Sequence, residues 1–264
     1  MSSVPAKAAA RIVAGLKKYQ PIIATQKSRD VNESDTVVIV TDLLQEIFGY
    51  DKFKEITTEH SIRGTFCDLA IKLEDKLTFL LEVKAIGIEL KDQHVKQAID
   101  YAANEGCEWV VLTNSVCWRI YKVLFAKPID KELVIEINLL ELDPKSDDDI
   151  EIAGLISRDA WPKERLGEYL EQKQAVSRFT IAAVLLSDAV LPTIRRALRK
   201  ISPDVRIDTD EIAEALRNEV IKREALEGDK ADAAAKAVAK AARQAQRDAS
   251  KSEDAKDGTA TKAD

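Results

Sequence analysis

The chain has 264 residues, a net charge of −6 and 45% hydrophobic residues, enough for one sizeable core and a helical appendage. The first 150 residues carry 19 Lys and Arg against 25 Asp and Glu, which argues against tight sequence-independent DNA binding by that half. No apolar run reaches the ~18 residues of a membrane span, and no signal peptide is visible, so we expect a cytoplasmic protein. Two histidines and three cysteines without metal-binding spacing argue against a zinc site.

Two helices are predicted before the first candidate strand. Residues 6–27 have helical spacing and form an N-terminal helical segment. Residues 36–48 are also apolar at helical spacing and end at Gly49. Asn32 and Asp35 are candidate caps at the start of this second helix.

A β-hairpin is predicted around the polar loop at residues 74–76. If Leu73 pairs with Leu77 across that loop, Asp68 lies directly opposite Glu82. Carboxylates opposed on a sheet repel each other unless a cation lies between them. The hairpin therefore predicts a cation site.

Strand alternation adds Lys84 to this patch, because Glu82 and Lys84 point to the same face. Carboxylate oxygens are the ligands that Mg²⁺ or Mn²⁺ prefers, and the carbonyl of Val83 is a further candidate ligand. A bound metal and Lys84 would suit phosphodiester hydrolysis. The alternative is a solvated Glu82–Lys84 pair on a polar strand face. The nearly continuous apolar residues 77–81 favour a central strand covered on both faces, where charges need a partner or a function.

A helix is predicted from residue 90 to residue 103, with Gly106 as its stop. Gln93, Gln97 and Tyr101 form a row at i, i+4 spacing on one side of this helix. Such amide and phenol groups can contact phosphates or base edges. The alternative is an ordinary polar flank with Tyr101 half buried.

Two further strands are predicted at residues 109–112 and 117–123. The order of strand 77–85, helix and strand 109–112 indicates a right-handed crossover. The fold class is therefore α/β, with a mixed sheet flanked by helices.

These features resemble the PD-(D/E)XK nuclease superfamily, and within it the N-terminal nuclease domain of type I restriction enzyme R subunits. The residues that carry this resemblance lie between Asn32 and Val123: Asn32-Glu33-Ser34-Asp35-Thr36, Phe48-Gly49-Tyr50, Arg63-Gly64-Thr65-Phe66-Cys67-Asp68, Glu82-Val83-Lys84, Gln97-x-x-x-Tyr101 and Leu112-Thr113-Asn114. The chain contains no G-x-x-x-x-G-K-[ST] phosphate loop, so it resembles a stand-alone form of that domain, without the helicase motor.

The resemblance implies a restriction-endonuclease-like fold and a Mg²⁺-dependent or Mn²⁺-dependent deoxyribonuclease. Asp68 and Glu82 would bind the metal together with the carbonyl of Val83, and Lys84 would assist the attacking water. The partner implied is DNA.

The same resemblance assigns residues outside the hairpin. Gln97 and Tyr101 would form the family's DNA-contacting element, with Gln93 as a further candidate on the same helix. Glu33 matches the acidic position on the family's first helix, an ancillary metal or water contact. Glu46 is the alternative for that position, and a glutamate stabilised by the helix dipole is the alternative explanation for Glu33.

The domain organisation predicted is an N-terminal helix at residues 1–28, a nuclease domain at 29–142, an all-α extension at 143–227 and a low-complexity, disordered tail at 228–264. The helices predicted in the extension are 149–158, 162–176, 178–188, 190–201 and 208–226. Those within 178–226 are candidates for contact with a protein partner or a second copy. The alternative function is therefore a catalytically weak or inactive nuclease-fold module that binds DNA or assembles through its helical extension.

Overall fold

The computed structural model describes residues 4–62 and 65–257. Within these ranges, side chains are described except those of residues 59–62, 65, 66, 246 and 248–257. Part of one motif, Arg63-Gly64, lies outside the described residues. The chain forms two compact units, with the boundary between Leu170 and Glu171. We name the N-terminal one unit 1 and the C-terminal one unit 2.

Unit 1 contains helices at both ends of the chain segment and six strands between them. In chain order its elements are α1 (Ala6–Ser28), α2 (Glu33–Glu46), β1 (Ile56–Ile62), β2 (Thr65–Leu73), β3 (Lys76–Val83), α3 (Asp92–Glu105), β4 (Trp109–Thr113), β5 (Cys117–Leu124), β6 (Asp130–Asn138), α4 (Asp147–Gly154) and a 3-10 helix (Arg158–Lys163). The next helix, α5 (Arg165–Ala175), spans the division between the units. Residues 4–28 and 143–170, predicted to lie outside the nuclease domain, thus belong to unit 1.

The six strands form one sheet in the order β1-β2-β3-β4-β5-β6. The pair β3–β4 is parallel, and the other neighbouring pairs are antiparallel. This confirms the predicted α/β class and mixed sheet. The two edge strands, β1 and β6, were not predicted from the sequence.

Apolar side chains cover both faces of the central strand β3. Phe79 and Leu81 belong to the larger core, which they share with residues of α1, α2 and α4. Leu80 belongs to a second core, which it shares with residues of α3 such as Val95 and Ala98. Because successive side chains of a strand point to opposite faces, an apolar run is what a strand covered on both sides requires.

The helices predicted in unit 1 begin and end close to the expected residues. Asn32 caps α2 by accepting the backbone N–H of Asp35 at 2.9 Å, so Asp35 is not itself the cap. Gly106 ends α3 with a positive φ of 68°, as the sequence predicts. Ser146 caps α4 through the backbone N–H of Asp149.

Unit 2 is helical in the part of it that the structure describes. Its elements are α6 (Arg178–Leu185), α7 (Leu191–Ile201), α8 (Thr209–Ala215), a π-helical turn (Leu216–Val220), a 3-10 turn (Arg223–Ala225) and α9 (Asp229–Asp257). Among the described residues, no helix is both long and apolar enough to cross a membrane.

The last helix corrects one prediction. The expectation of a disordered, undocked tail from residue 228 is wrong for the described part, where α9 is a helix that contacts α6. Ala231 and Ala234, one turn apart, are buried at 8% and 9% exposure. Alanine has the highest helix propensity, and its small side chain allows close helix packing without a large apolar residue. Low hydrophobicity alone was therefore a poor guide to this segment.

Candidate active site

The β2–β3 hairpin brings the two predicted carboxylates onto adjacent strands near the carboxyl end of β3. Its turn contains two residues, Glu74 and Asp75, both with positive φ (50° and 63°), instead of the predicted three-residue loop. A register shift next to Ile71 compensates for the shorter turn, because Lys72 pairs with Leu77 while Ile71 pairs with Phe79. This shift is a β-bulge, which adds one residue to one strand.

Beyond the bulge the register is the predicted one. Ala70 pairs with Leu80, and Leu69 pairs with Leu81. One further step along the same register sets Asp68 across from Glu82. The predicted pairing of Leu73 with Leu77 is wrong, because Leu73 pairs with Lys76, but the bulge restores the alignment near the site.

Asp68 is held by the backbone of the opposite strand. Its Oδ2 accepts the backbone N–H of Val83 at 2.7 Å, and the Val83 side chain is fully buried. Burial raises the pKa of Asp68, and the charge of Glu33 adds to the rise. The hydrogen bond from Val83 and the charge of Lys84 act in the opposite direction but do not cancel it.

Glu82 and Lys84 form an ion pair at the carboxyl end of β3. The Lys84 Nζ lies 2.8 Å from Glu82 Oε1, and the two side chains are only 21% and 13% exposed, respectively. Burial raises the pKa of Glu82, with a further contribution from the charge of Asp68. This is not the solvated surface pair of the alternative interpretation, because both charged groups are largely removed from water.

Lys84 stays protonated in this setting. Burial alone would lower its pKa, but the hydrogen bond to Glu82 and the charges of the surrounding carboxylates outweigh burial and raise it. The backbone N–H of Lys84 donates to the carbonyl of Thr113 at 2.8 Å, which fixes the residue to the neighbouring strand. The side chain therefore offers a positioned ammonium and no free base.

Glu33 is the third carboxylate near this ammonium. It is the first residue of α2, and its Oε2 lies 3.5 Å from Lys84 Nζ with 49% of the side chain exposed. Glu46, the alternative, lies at the far end of α2 and pairs with Lys18 at 3.2 Å. The structure thus brings Glu33, and not Glu46, to the site.

The row predicted on α3 is divided between surface and core. Gln93 and Gln97 are exposed, whereas Tyr101 is 5% exposed and belongs to the core between α3 and the sheet. Burial, together with the charges of Glu105 and Cys67, raises the pKa of Tyr101 to about 12. Tyr101 is thus more buried than the half-buried residue of the alternative interpretation. Its contact with DNA stays a prediction.

The donor set of the hairpin fits a hard divalent cation. Asp68 and Glu82 offer carboxylate oxygens, and Mg²⁺ commonly binds through one or two carboxylates while keeping several waters. Among the described residues, no group of three His, Cys, Asp or Glu is arranged to hold a metal ion. A metal here would therefore rely on Asp68, Glu82, water and other oxygen ligands, among which the Val83 carbonyl stays a prediction.

Two side chains to which the sequence assigned no role at the site, Asn114 and Arg119, position the segment after Lys84. Asn114 Nδ2 donates to the carbonyl of Ile88 at 2.9 Å, and Arg119 Nη1 donates to the carbonyl of Leu90 at 2.7 Å. These bonds tie the loop that joins β3 to α3 onto the edge of the sheet. The sequence predicted only that Asn114 lies in a turn and Arg119 in a strand. It could not predict these hydrogen bonds, because each joins residues far apart in the chain.

Comparisons of this chain with protein-family models, with curated proteins and with solved structures give no match.

Proposed function

We propose that this protein is a metal-dependent deoxyribonuclease and that the end of the β2–β3 hairpin is its active site. The observation that carries the proposal is the half-buried ammonium of Lys84, whose Nζ lies 2.8 Å from Glu82 Oε1 and 3.5 Å from Glu33 Oε2. Asp68 lies on the adjacent strand with one oxygen bonded to the backbone of β3. Buried charges are costly unless they are paired or functional, and shifted pKa values favour a functional site.

The proposed roles follow from charge and position. Asp68 and Glu82 bind Mg²⁺ or Mn²⁺, which supplies a Lewis acid for the phosphate and lowers the pKa of a bound water. Ionised carboxylates are needed for this, so their raised pKa values make metal binding weaker at acidic pH.

Lys84 acts as a cation in this proposal. The carboxylates around it raise the pKa of Lys84 in the metal-free protein, so the proposal gives it the role of a cation and not of a general base. Its ammonium orients the attacking water or stabilises the negative charge that develops on the phosphate. Glu33 holds that ammonium from the α2 side.

DNA is the proposed substrate. Gln93 and Gln97 are exposed on the helix that follows the site, where their amides can donate to phosphate oxygens. Tyr101 is buried behind them against the sheet, which favours a supporting role for its ring. These contacts rest on the resemblance to the PD-(D/E)XK nucleases as well as on position.

The test incubates the purified full chain with supercoiled plasmid, single-stranded DNA and RNA in Mg²⁺, Mn²⁺ or EDTA. We expect cleavage of DNA with either metal, none in EDTA, and none by Asp68→Ala or Lys84→Ala. Matched controls are Asp100→Ala and Lys76→Ala, which change exposed residues of the same types. Absence of metal-dependent cleavage, or equal loss in variants and controls, contradicts the proposal.

A second candidate is a module that acts through assembly. Unit 2 exposes large apolar side chains, with Ile201 78%, Val220 67% and Val205 56% exposed. Contiguous exposed apolar groups are typical of contact surfaces. Light scattering of the full chain tests this: an oligomer that Ile201→Glu converts to monomer supports assembly through unit 2, whereas a monomeric wild-type chain opposes assembly with a second copy.

A further inference from the structure

Helix α9 of unit 2 has two faces of different character. Ala231 and Ala234 are buried and Val238 is half-buried, so one face is packed within the unit. The helix contacts α6. Alanine supplies most of this face, which leaves the other face to longer polar residues.

Four cations lie on the other face. Lys236, Lys240, Arg243 and Arg247 are all exposed and are spaced by four, three and four residues. At 3.6 residues per turn they fall within an arc of about 60° and extend over roughly 16 Å of helix. We name these four residues the α9 stripe.

Three of the four cations, Lys236, Lys240 and Arg243, lack an acidic partner in the part of the chain that the structure describes. Residues 233–247 contain no Asp or Glu. The stripe therefore presents a row of positive charge to solvent.

We propose that the α9 stripe binds the phosphate backbone of DNA without sequence preference. This inference rests on the proposed function for the choice of DNA. By sequence, unit 1 carries 22 Lys and Arg against 29 Asp and Glu, whereas unit 2 carries 18 against 17. Electrostatic affinity for DNA needs a basic footprint, which the acidic catalytic unit is poorly suited to provide.

The geometry favours a polyphosphate over a lipid surface. A duplex carries one charge per ~1.7 Å of its axis, so roughly nine phosphates lie along a length equal to that of the stripe. Helices that bind membranes insert large apolar groups such as Trp, Phe or Leu. The residues between the four cations on α9 are Ala, Gln and Val238 only.

Helix α7 differs in this respect. Its cations Arg195, Arg196, Arg199 and Lys200 lie beside exposed apolar groups, with Ile201 78% and Leu198 36% exposed. Such a combined apolar and basic surface suits a protein contact, as in the second candidate function, and serves as a comparison for the α9 stripe.

The test measures binding of the full chain to a short DNA duplex by fluorescence anisotropy over a range of salt concentrations. EDTA is present throughout, so cleavage does not interfere. Each phosphate contact contributes about 0.9 to the slope of log K against log [salt], so K236Q/K240Q/R243Q lowers the magnitude of that slope by about 2.7. Because binding is measured in EDTA and cleavage is measured separately with Mg²⁺, failure of this inference is distinguishable from failure of the nuclease proposal.

Two controls accompany the variant. K7Q/K17Q/K27Q removes three exposed lysines of unit 1 and gives the same change in net charge, but keeps the slope. K236R/K240R keeps both charge and slope. An unchanged slope in the stripe variant, an equal loss in the unit 1 variant, or binding to anionic vesicles without binding to DNA overturns the inference. Circular dichroism verifies that the variants keep their helix content.

Discussion

In unit 1, Glu82 and Lys84 lie at the end of a central strand with 13% and 21% of their side chains exposed, whereas in unit 2 the cations of the α9 stripe lie on a solvated helix face. Removing the Glu82–Lys84 pair from water costs desolvation energy, which short-range interactions with the surrounding charges must offset. The cations of the α9 stripe remain hydrated, so they cost little desolvation energy, and they attract anions over a longer range in a way that depends on salt. In our two proposals the regions have different tasks: the first catalyses cleavage at one point, and the second attracts a length of DNA duplex.

This difference gives opposite responses to mutation. Removing the charge of Lys84 leaves carboxylates in the site without their partner, so activity and stability fall together. Removing one charge from the α9 stripe changes affinity by a fraction and leaves the fold intact. The following experiments test this contrast, starting with the largest expected effect.

The largest effect is expected for Lys84→Met, which keeps the length of the side chain and removes its charge. We expect cleavage to fall by about 10²–10³-fold, as for loss of other preorganised electrostatic groups. Lys236→Met in the α9 stripe is the comparison and should leave the rate of cleavage by bound enzyme within about threefold, since it removes one of several phosphate contacts. Single-turnover rates at saturating enzyme measure both, and similar losses in the two variants would remove the distinction between the regions.

Asp68→Asn is expected to lose cleavage while making the metal-free protein more stable. Burial raises the pKa of Asp68, so its ionised form is unfavourable in the folded state. Replacing it with a neutral amide of the same shape should raise the free energy of unfolding at neutral pH by on the order of 1 kcal/mol. Urea unfolding in EDTA measures this change, with Asp100→Asn, an exposed substitution, as the control that should shift little.

The pH dependence gives an independent check on the same residue. An acid with a raised folded-state pKa binds more protons when folded, so its contribution favours folding at low pH and is lost as pH rises from the ordinary value of 3.8 through the raised value. As pH rises through that window, the free energy of unfolding of the wild type should therefore decrease. The decrease should be smaller in Asp68→Asn. Equal pH profiles in EDTA would contradict the assignment of a buried, raised-pKa carboxylate.

Gly15→Ala tests how much the close packing of α1 on the end of α2 contributes to stability. A β-carbon at Gly15 of α1 would lie 2.8 Å from Ile47 Cγ1 and 3.1 Å from the carbonyl of Glu46. The clash should cost about 1–3 kcal/mol and displace α2, which carries Glu33. Gly167→Ala is the matched control, because no atom lies within 4 Å of its added carbon and the helix gains up to about 1 kcal/mol. Thermal and urea unfolding measure both variants.

The smallest effect is expected for Glu33→Gln. Its carboxylate is half exposed and 3.5 Å from Lys84 Nζ, so its loss should reduce cleavage by no more than about fivefold, the equivalent of 1 kcal/mol. Glu46→Gln removes an exposed pair with Lys18 and should leave cleavage unchanged. A larger loss in Glu46→Gln than in Glu33→Gln would reverse the assignment made by the structure.

Local patterns were sufficient for the hairpin, for α3 and for the crossover to β4. Alternation sets the parity of Glu82 and Lys84, and Gly106 marks the end of a helix because it accepts a positive φ. The two-residue turn was not predicted, because Glu74 and Asp75 both adopt positive φ in a turn where glycine or asparagine is the usual residue. The bulge that restores the register has no sequence signal of its own.

Edge strands and the last helix show a second limit. The polar sequence of β1, Ile56–Ile62, lacks the apolar alternation that marks a strand, and its backbone is set by pairing with β2. Helix α9 has almost no large apolar residue, but close contact of small alanines with α6 is sufficient to dock it. In both cases the structure of the segment depends on the element against which it pairs or packs.

The sequence by itself determined that Glu82 and Lys84 share a face and that Asp68 lies on the neighbouring strand, since strand parity and the presence of a hairpin are local properties. Only the tertiary structure decided that Glu33 and not Glu46 reaches Lys84, and that Tyr101 is buried while Gln97 is exposed. Those outcomes depend on how helices pack on each face of the sheet. Packing between residues distant in the chain determines which end of a helix lies at the site. The hydrophobic periodicity of a single segment cannot predict this packing.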